Sequence, residues 1–279
     1  MKFRGVIYES LALKEFYNIA CTLSKLSKEC VLRITETHLY FIITDDTLGI
    51  NKPSVWCELP AKHYFREYNM EGVSPEYNEI YLEFSPALLM KSLTFVKTSV
   101  KSLKLKLTSK STPCLTIEIE CVQCIHDIPV KIISQRLWDL FEEPDHLDYN
   151  ITIEMPGLKS IKNMTERLKS LSQYLIISAT KNGQFSLSIE TTLGHVATHV
   201  PNLQVKKFTG VPHTDSQDSN DDAMEVRAKI DIKKFYTYFS SQHITCKKMY
   251  CSIIHEKLVN IYLENDSLSM QFFIPEHDD

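Results

Sequence analysis

The residues most able to do chemistry are cysteines and histidines near the middle of the chain. Cys121, Cys124 and His126 have a spacing that resembles half of a zinc site. Further candidate ligands lie in the second half of the chain: Cys246, Cys251 and His255. Tetrahedral zinc needs four converging ligands, whereas strand residues three apart, such as Cys121 and Cys124, face opposite sides of a sheet. We therefore expect no metal and no cofactor, and a metal-dependent hydrolase is the enzymatic alternative.

The other histidines lack the neighbouring residues that a catalytic triad needs, and the chain lacks the motifs of a nucleotide site. Four further histidines have no serine, cysteine or acid at a motif spacing: His38, His63, His195 and His199. The chain has seven glycines, and phosphate-cradling loops need glycine so that the backbone can approach the phosphates. The sequence contains no GxxxxGK[ST], GxGxxG or GxSxG pattern. We expect no nucleotide site and no enzymatic activity.

The composition is that of an average globular protein. The chain has 279 residues, which is enough for two domains, and 43% of them are hydrophobic. No apolar run is long enough to span a membrane, and charges interrupt the N-terminal segment where a signal peptide needs its apolar centre. We expect no membrane contact and an intracellular protein. The eight cysteines have no spacing pattern, so reduced thiols are expected.

Four amphipathic helices are predicted at intervals of roughly 70–75 residues, and each follows a strand and precedes antiparallel hairpins. Their ranges are Leu11–Lys28, Ser85–Lys97, Pro156–Ser172 and Asp231–His243. A polar acidic segment, Gly210–Asp222, is predicted to be a loop. Most strands are joined by turns too short for a parallel crossover. The predicted fold class is α+β, with two similar domains of two strand–helix–strand units each.

The domain division follows from these patterns. We place the first domain at residues 1–133, a connecting linker at 134–148 and the second domain at 149–279. Pro129 lies inside a strand-like run just before the linker, and a proline there indicates a sheet edge because it removes a backbone donor. Trp138 in the linker is either a docking aromatic or a locally packed side chain, and the sequence leaves both interpretations open.

Charge is distributed unevenly along the chain. The predicted helices hold 11 basic and three acidic residues, a net charge of +8, whereas the whole chain carries −4, which leaves −12 for the rest. A solvated lysine coat explains any single helix, but the same bias on four helices favours a polyanion, contacted through phosphates without reading sequence. Duplex DNA is favoured because no basic run is interleaved with aromatic residues. The residues expected to face DNA are Lys14, Lys25, Lys28, Lys91, Lys159, Lys162, Arg167, Lys169 and Lys233.

Short stretches along nearly the whole chain carry a family resemblance. They are MKFR (Met1–Arg4), LSKLSKEC (Leu23–Cys30), VWCEL (Val55–Leu59), MEGVS (Met70–Ser74), NEIYLEF (Asn78–Phe84), HDIPVKI (His126–Ile132), LW (Leu137–Trp138), SIET (Ser188–Thr191) and LSMQFFIP (Leu268–Pro275). In this order they resemble the Hus-type subunit of the heterotrimeric DNA-damage checkpoint clamp, the 9-1-1 complex. The pair HDIPVKI and MEGVS is the most specific part of the resemblance.

The resemblance implies a PCNA-like clamp fold with sheets outside and four helices inside. It implies a non-catalytic nuclear subunit that joins two different clamp subunits in a heterotrimeric ring around duplex DNA. It also implies an ATP-driven clamp loader and repair or checkpoint proteins bound to the outer face. A homotrimeric replication clamp of the same fold and an α+β adaptor that never touches DNA stay open as alternatives.

Subunit contacts in such rings join edge strands head to tail. The matching strands would be Cys114–Cys121 and one near His195–Phe208. The interface residues expected from them are Cys114, Thr116, Glu118, Glu120, His195, Ala197 and His199. By analogy with the fold alone, the linker would form an outer-face groove for partner peptides, with Leu137, Trp138 and Phe141 as docking residues.

Overall fold

The computed structural model describes residues 1–45, 52–97, 100–120, 124–144, 147–210 and 225–277. These residues form two units. The first unit comprises Met1–Glu143, Ser241–Thr245 and Asp266–Ser269, and the second comprises Pro144–Ser240, Cys246–Asn265 and Met270–Asp279. The division after Glu143 falls within the range predicted as the linker. Cys121 and residues 211–222 of the predicted acidic loop lie outside the described residues.

The first unit repeats one order of elements: a strand, a helix and then antiparallel strands. The first repeat consists of β1 (Lys2–Ile7), α1 (Ser10–Leu26), β2 (Cys30–Ile34), β3 (His38–Asp45), β4 (Lys52–Pro60), α2 (Ala61–Tyr64) and β5 (Glu67–Glu71). The second repeat consists of β6 (Ile80–Phe84), α3 (Pro86–Ser92), β7 (Leu103–Ser109), β8 (Pro113–Ile119), β9 (Cys124–Pro129) and β10 (Lys131–Ile132). Short 3-10 helices follow α3 and β10, at Thr94–Lys97 and Gln135–Phe141.

The second unit has the same order. Its first repeat consists of β11 (Ile151–Glu154), α4 (Leu158–Leu168), β12 (Tyr174–Thr180), β13 (Phe185–Thr191), β14 (Gly194–Val200) and β15 (Val205–Phe208). Its second repeat consists of β16 (Glu225–Asp231), α5 (Ile232–Ser241), β17 (Lys248–Ile254), β18 (Leu258–Glu264) and β19 (Ser269–Pro275).

The four predicted helices correspond to α1, α3, α4 and α5, and each begins within two residues of its predicted start. The predicted second-helix range runs too long, because a 3-10 helix replaces its last turn at Thr94–Lys97. The short helix α2 has no counterpart among the four predicted helices. In the described part of the chain, no helix has the length and apolarity needed to cross a membrane.

The strand before each helix pairs with the hairpins of the other repeat. In the first unit the sheets run β5–β1–β7–β8–β9 and β10–β6–β2–β3–β4. In the second unit they run β14–β13–β12–β16 and β19–β18–β17–β11–β15. These exchanged pairings are antiparallel, as the short turns of the sequence predict.

β8 is an internal strand of its sheet. Leu115 pairs with Leu107 of β7 on one side and with Ile128 of β9 on the other. The prediction that Cys114–Cys121 joins a neighbouring subunit as an edge strand is therefore wrong, because both sides of its backbone are already paired. β9, which contains Pro129, is the edge at this end of the sheet, and β14 is the edge of its own sheet.

Packing of α1 fixes the core of the first unit. Phe16 is 2% exposed, and its ring centroid lies 6.1 Å from that of Phe41 and 6.3 Å from that of Tyr64. The N-cap residue Glu9 makes no side-chain capping hydrogen bond. The helix therefore depends on its buried face more than on a cap.

We expect Phe16→Ala to lower the free energy of unfolding of the first unit by about 3–5 kcal/mol, because truncating a buried aromatic leaves a cavity. Both tryptophans, Trp56 and Trp138, belong to this unit, so tryptophan fluorescence during urea denaturation of the full chain reports on it. The control is Leu11→Ala in the same helix, since Leu11 is 66% exposed and should change stability by less than about 0.5 kcal/mol. Equal losses would contradict this packing.

Candidate nucleic-acid interface

The basic residues of α1 lie away from its buried stripe. Lys14 and Lys25 are exposed, whereas Ile19 and Leu23 are buried. Lys28 follows the helix and is also exposed. This is the amphipathic arrangement that the apolar spacing predicts.

The other helices present basic side chains in the same way. The exposed ones are Lys91 on α3, Lys159 and Arg167 on α4, and Lys233 on α5. Lys162 on α4 is half-buried, beside the fully buried Ile161. All of these positions were predicted to face DNA, and each side chain reaches solvent.

The basic residues of the helices and those of the sheets differ in the ion pairs that they make. Within the described ranges, the following helix residues make no ion pair: Lys14, Lys25, Lys28, Lys91, Lys159, Lys162, Arg167 and Lys233. Most basic residues of the described strands are paired with acids instead, with Lys207 and Lys248 as exceptions. The pairs include Lys2 with Glu71 (2.8 Å), Arg4 with Glu67 (3.0 Å), Lys104 with Glu118 (3.0 Å), Lys131 with Glu83 (3.3 Å) and Arg227 with Glu256 (3.1 Å). Basic residues without a described ion pair therefore occur on all four long helices, and further ones lie elsewhere in the described part of the chain: Lys62, Arg66, Lys101, Arg136, Lys207, Lys248 and Lys257.

All three acids predicted on the helices are engaged in local contacts, and two of them, Glu15 and Asp231, contact groups other than lysine side chains. The Glu15 carboxylate lies 3.6 Å from His63 Nε2 and accepts a 3.5 Å hydrogen bond from the Tyr64 hydroxyl. Asp231 Oδ1 accepts a 2.7 Å hydrogen bond from the backbone N–H of Lys233, which caps α5. Neither acid neutralises a helix lysine through its side chain.

Lys169 differs from the other predicted DNA-facing residues. Its Nζ lies 3.4 Å from the centroid of the Tyr236 ring and 3.8 Å from the Glu166 carboxylate. The Tyr236 hydroxyl donates a 3.1 Å hydrogen bond to the same carboxylate. In this conformation Lys169 is satisfied within the second unit and would have to leave Tyr236 to reach a phosphate. No spacing in the sequence connects these three residues, so sequence analysis missed the cluster.

The predicted interface residues of β8 mostly make contacts within their own sheet. Cys114 and Thr116 are buried, and Thr116 Oγ1 donates a 2.6 Å hydrogen bond to Asp127 of β9. Hydrogen bonds and charge from Lys106, and then from Lys104, lower the pKa of Glu118. These contacts stabilise the pairing of β8 within its own sheet. The fourth predicted residue, Glu120, is exposed and accepts a hydrogen bond from Ser102.

The predicted residues of β14 lie on an open sheet edge. His195 and His199 are exposed, Ala197 is half-buried, and His199 Nδ1 lies 2.7 Å from Ser186 Oγ. Val196 between them is 41% exposed. On the other edge strand, β9, Ile125 is 62% exposed. Sequence analysis missed Ile125 and Val196 because alternation gives no sign of which strand is an edge.

The candidate cysteine and histidine ligands, of which Cys121 lies outside the described residues, form no metal site in the described part of the chain. No group there of three His, Cys, Asp or Glu side chains could hold a metal ion. Cys251 is fully buried, and burial raises the pKa of its thiol. Cys246 is half-buried, and burial raises the pKa of its thiol as well. Buried protonated thiols are poor nucleophiles and poor ligands.

Trp138 packs the predicted linker against the first unit. The Trp138 ring stacks on Tyr81, with centroids 4.6 Å apart, and Trp138 Nε1 donates a 3.2 Å hydrogen bond to the carbonyl of Ile133. Trp138 is buried, which favours the local-packing interpretation over the docking one. Leu137 is 48% exposed and Phe141 is half-buried.

An ion pair lies beside Tyr81, the ring on which Trp138 stacks. Arg33 donates to both carboxylate oxygens of Glu79, at 2.8 and 2.9 Å, and its guanidinium lies 5.1 Å from the Tyr40 ring and 5.6 Å from the Tyr81 ring. Burial alone would raise the pKa of Glu79, but the hydrogen bonds and charge of Arg33 outweigh it and the pKa is lowered. Burial raises the pKa of Tyr40 to about 12.

This ion pair predicts an acid-sensitive contribution to stability. Because the pKa of Glu79 is lowered by folding from its ordinary value of 4.5, the contribution is complete above that value and disappears as pH falls through the folded pKa. Glu79→Gln should remove that part of the pH dependence, measured by urea denaturation with tryptophan fluorescence between about pH 6 and 3. The control is Glu83→Gln, since the Lys131 partner of Glu83 is 74% exposed. An unchanged acid slope in Glu79→Gln would refute the assignment.

Known proteins are similar to this chain in sequence and in fold. A family model described as Hus1-like protein matches residues 1–278. The human Checkpoint protein HUS1 is 37% identical over 99% of both chains, and the Drosophila melanogaster Checkpoint protein Hus1-like is 26% identical over 95% of this chain and 94% of its own.

Solved structures of sliding clamps match almost the whole chain. The proliferating cellular nuclear antigen of Entamoeba histolytica matches with a TM-score of 0.71, at 13% identity, over 99% of both chains. The PCNA of Thermococcus kodakaraensis matches with a TM-score of 0.70, at 14% identity, over 98% of this chain and 100% of its own. These matches confirm the α+β clamp fold that the resemblance implies.

Proposed function

This chain belongs to the Hus1-like protein family, and from that premise we propose that it is a non-catalytic subunit of a heterotrimeric ring that encircles duplex DNA in the DNA-damage checkpoint and repair response. Two different clamp subunits complete the ring. An ATP-driven clamp loader places it on DNA in the nucleus, and repair and checkpoint proteins bind its outer face. The full-length match to relatives named checkpoint proteins and the clamp fold support this proposal.

The observation that carries the DNA-binding part is the difference in ion pairing between helices and sheets. Most basic side chains of the described strands are paired with acids, for example Lys2 with Glu71, whereas Lys14 and Lys25 on α1 are exposed and make no ion pair with any described residue. A lysine without an internal partner can release counterions from a phosphate, and this contact is the same for every base sequence. A ring held in this way slides along duplex DNA.

We expect the triple variant Lys14→Ala, Lys25→Ala, Lys28→Ala to weaken retention of the assembled ring on closed circular duplex DNA. Each lost phosphate contact should make the negative slope of log affinity against log salt concentration less steep by about 0.9. The measurement is ring retention on circular DNA over a salt series, followed by linearisation of the DNA, which should release a topologically linked ring.

The matched control is Lys2→Ala, Lys104→Ala, Lys131→Ala, which changes the net charge equally but removes lysines that acids already neutralise. This variant should keep the wild-type salt slope. Equal effects of the two variants would show that general charge, and not the helix face, holds the DNA. Retention on linear DNA as firm as on circular DNA would argue against encirclement.

We propose ring closure through two of the sheet edges, β9 and β14. Each edge strand presents unpaired backbone groups, and each carries an exposed β-branched side chain, Ile125 or Val196. Strand addition at such edges is the common route by which one chain extends the sheet of another. Two different edges on one chain give the head-to-tail contact that closes a ring.

We expect Ile125→Asp to abolish contact with one neighbouring subunit and Val196→Asp to abolish contact with the other, because a charge at an apolar interface is desolvated without a partner. Native mass of the affinity-purified chain should give two different clamp subunits in a one-to-one-to-one ratio for wild type, and a different pairwise complex for each variant. Both side chains are exposed, so the isolated chain should keep its stability. A wild-type homotrimer would favour the replication-clamp alternative, and a lone monomer would favour the adaptor.

A further inference from the structure

Glu166 is an acidic residue on the basic face of α4. Lys162 precedes Glu166 by four residues and Lys169 follows it by three, so the three side chains lie on one face of the helix. The Glu166 side chain is 53% exposed. Under the proposed function this face meets phosphates, and an exposed carboxylate there repels them unless its charge is compensated. The DNA-facing surface therefore needs a partner for Glu166.

Two side chains compensate this carboxylate, one from each of two helices. Lys169 Nζ lies 3.8 Å from Glu166 Oε1, and the Tyr236 hydroxyl of α5 donates a 3.1 Å hydrogen bond to the same oxygen. The Tyr236 ring also lies against the ammonium group, with its centroid 3.4 Å from Lys169 Nζ, which is the geometry of a cation–π contact. Each of the three groups therefore contacts the other two. We call these three residues the α4–α5 cluster.

The cluster gives Lys169 a different position from the other lysine at the start of the same helix. An exposed ion pair alone contributes little and opens readily, but Lys169 has an aromatic face as well as a carboxylate. Its side chain is 33% exposed, whereas Lys159 is exposed and makes no ion pair with any described residue. Moving Lys169 to a phosphate would break both of its contacts and would leave Glu166 without a positive partner. Lys169 is therefore better placed to neutralise Glu166 than to bind DNA.

We propose that Lys169 and Tyr236 serve to neutralise Glu166, and that Lys169 is not itself a phosphate contact of the ring. This inference rests on the proposed function and changes the role of one residue that the sequence predicts to face DNA. Tyr236 is a positioning residue in this arrangement, since it contacts Lys169 and Glu166 and acts on DNA through them. Lys162 and the rest of the basic face can then approach phosphates without an uncompensated acid beside them.

The test is a double-mutant cycle on the assembled ring, measured as retention on closed circular duplex DNA over a salt series. Lys169→Ala should weaken retention several-fold, because it uncovers the charge of Glu166. Lys169→Ala combined with Glu166→Gln should restore retention to within about twofold of wild type, with the wild-type salt slope, because no phosphate contact is lost. A slope less steep by about 0.9 in this double variant would show that Lys169 binds a phosphate and would overturn the proposal.

The matched control is Lys159→Ala combined with Glu264→Gln. It also leaves the net charge unchanged, but it removes a lysine of α4 that has no described ion pair and an exposed acid of β18. This control should make the negative salt slope less steep by about 0.9, as expected for one lost phosphate contact. Equal slopes for the two double variants would contradict the special role of Lys169.

A second measurement tests the α4–α5 cluster on the free full chain, without ring or DNA. Lysines are acetylated with N-hydroxysuccinimide acetate, and the rate at each lysine is followed by mass spectrometry. Lys169 should react several-fold more slowly than Lys159. Tyr236→Leu should raise the rate at Lys169 alone, whereas Tyr236→Phe should keep it slow because the ring remains.

Equal rates at Lys169 and Lys159 in the wild-type chain would overturn the cluster. Loss of the ring function would appear separately, as a wild-type ring that does not stay on circular DNA at any salt concentration. Failure of the proposed function and failure of this inference are therefore different results.

Discussion

The exchange of strands between repeats is the constraint on which the rest of each unit depends. β1 pairs with β7, and β6 pairs with β2, so residues distant in sequence are hydrogen-bonded, such as Arg4 with Lys106. α1 therefore leaves one sheet and enters the other, and α3 makes the reverse connection. In the second unit β11 pairs with β17 and β16 pairs with β12. Every long helix is thus fixed at both ends by a different sheet.

The charge pattern follows from this architecture. On a sheet, residues directly opposite each other on neighbouring strands lie close enough to pair, and the register places Lys2 opposite Glu71 and Lys104 opposite Glu118. A helix held at both ends buries one stripe and turns the other away from its neighbours, so its lysines meet no such register partner. Lys169 is the exception because Tyr236 of α5 reaches it. Sheet geometry thus pairs most of the described strand bases with acids, whereas lysines such as Lys14 and Lys25 on α1 meet no described acid.

Sequence reasoning predicted the helices, which depend on local apolar periodicity. It did not predict which strands lie inside a sheet, which depends on pairing between distant segments. The apolar spacing located α1, α3, α4 and α5 and their lysine faces, because helical period is a property of one segment. Whether a strand is internal depends on distant partners, so Cys114–Cys121 was assigned to an edge although β9 covers it. Pro129 did indicate that edge, since a proline is tolerated where no ladder donor is needed. The role of Trp138 was undecidable from sequence, because Tyr81, on which it stacks, lies 57 residues earlier.

A chain with net charge −4 that binds a polyanion must keep its two signs apart. All four long helices carry exposed basic residues without a described ion pair, and exposed acids such as Asp139 and Glu142 lie in the linker. Under the proposed function, phosphate is attracted to the helix faces and repelled by the acidic residues of the linker. The negative total charge is then a consequence of specificity, since a uniformly basic chain would attract nucleic acid over its whole surface.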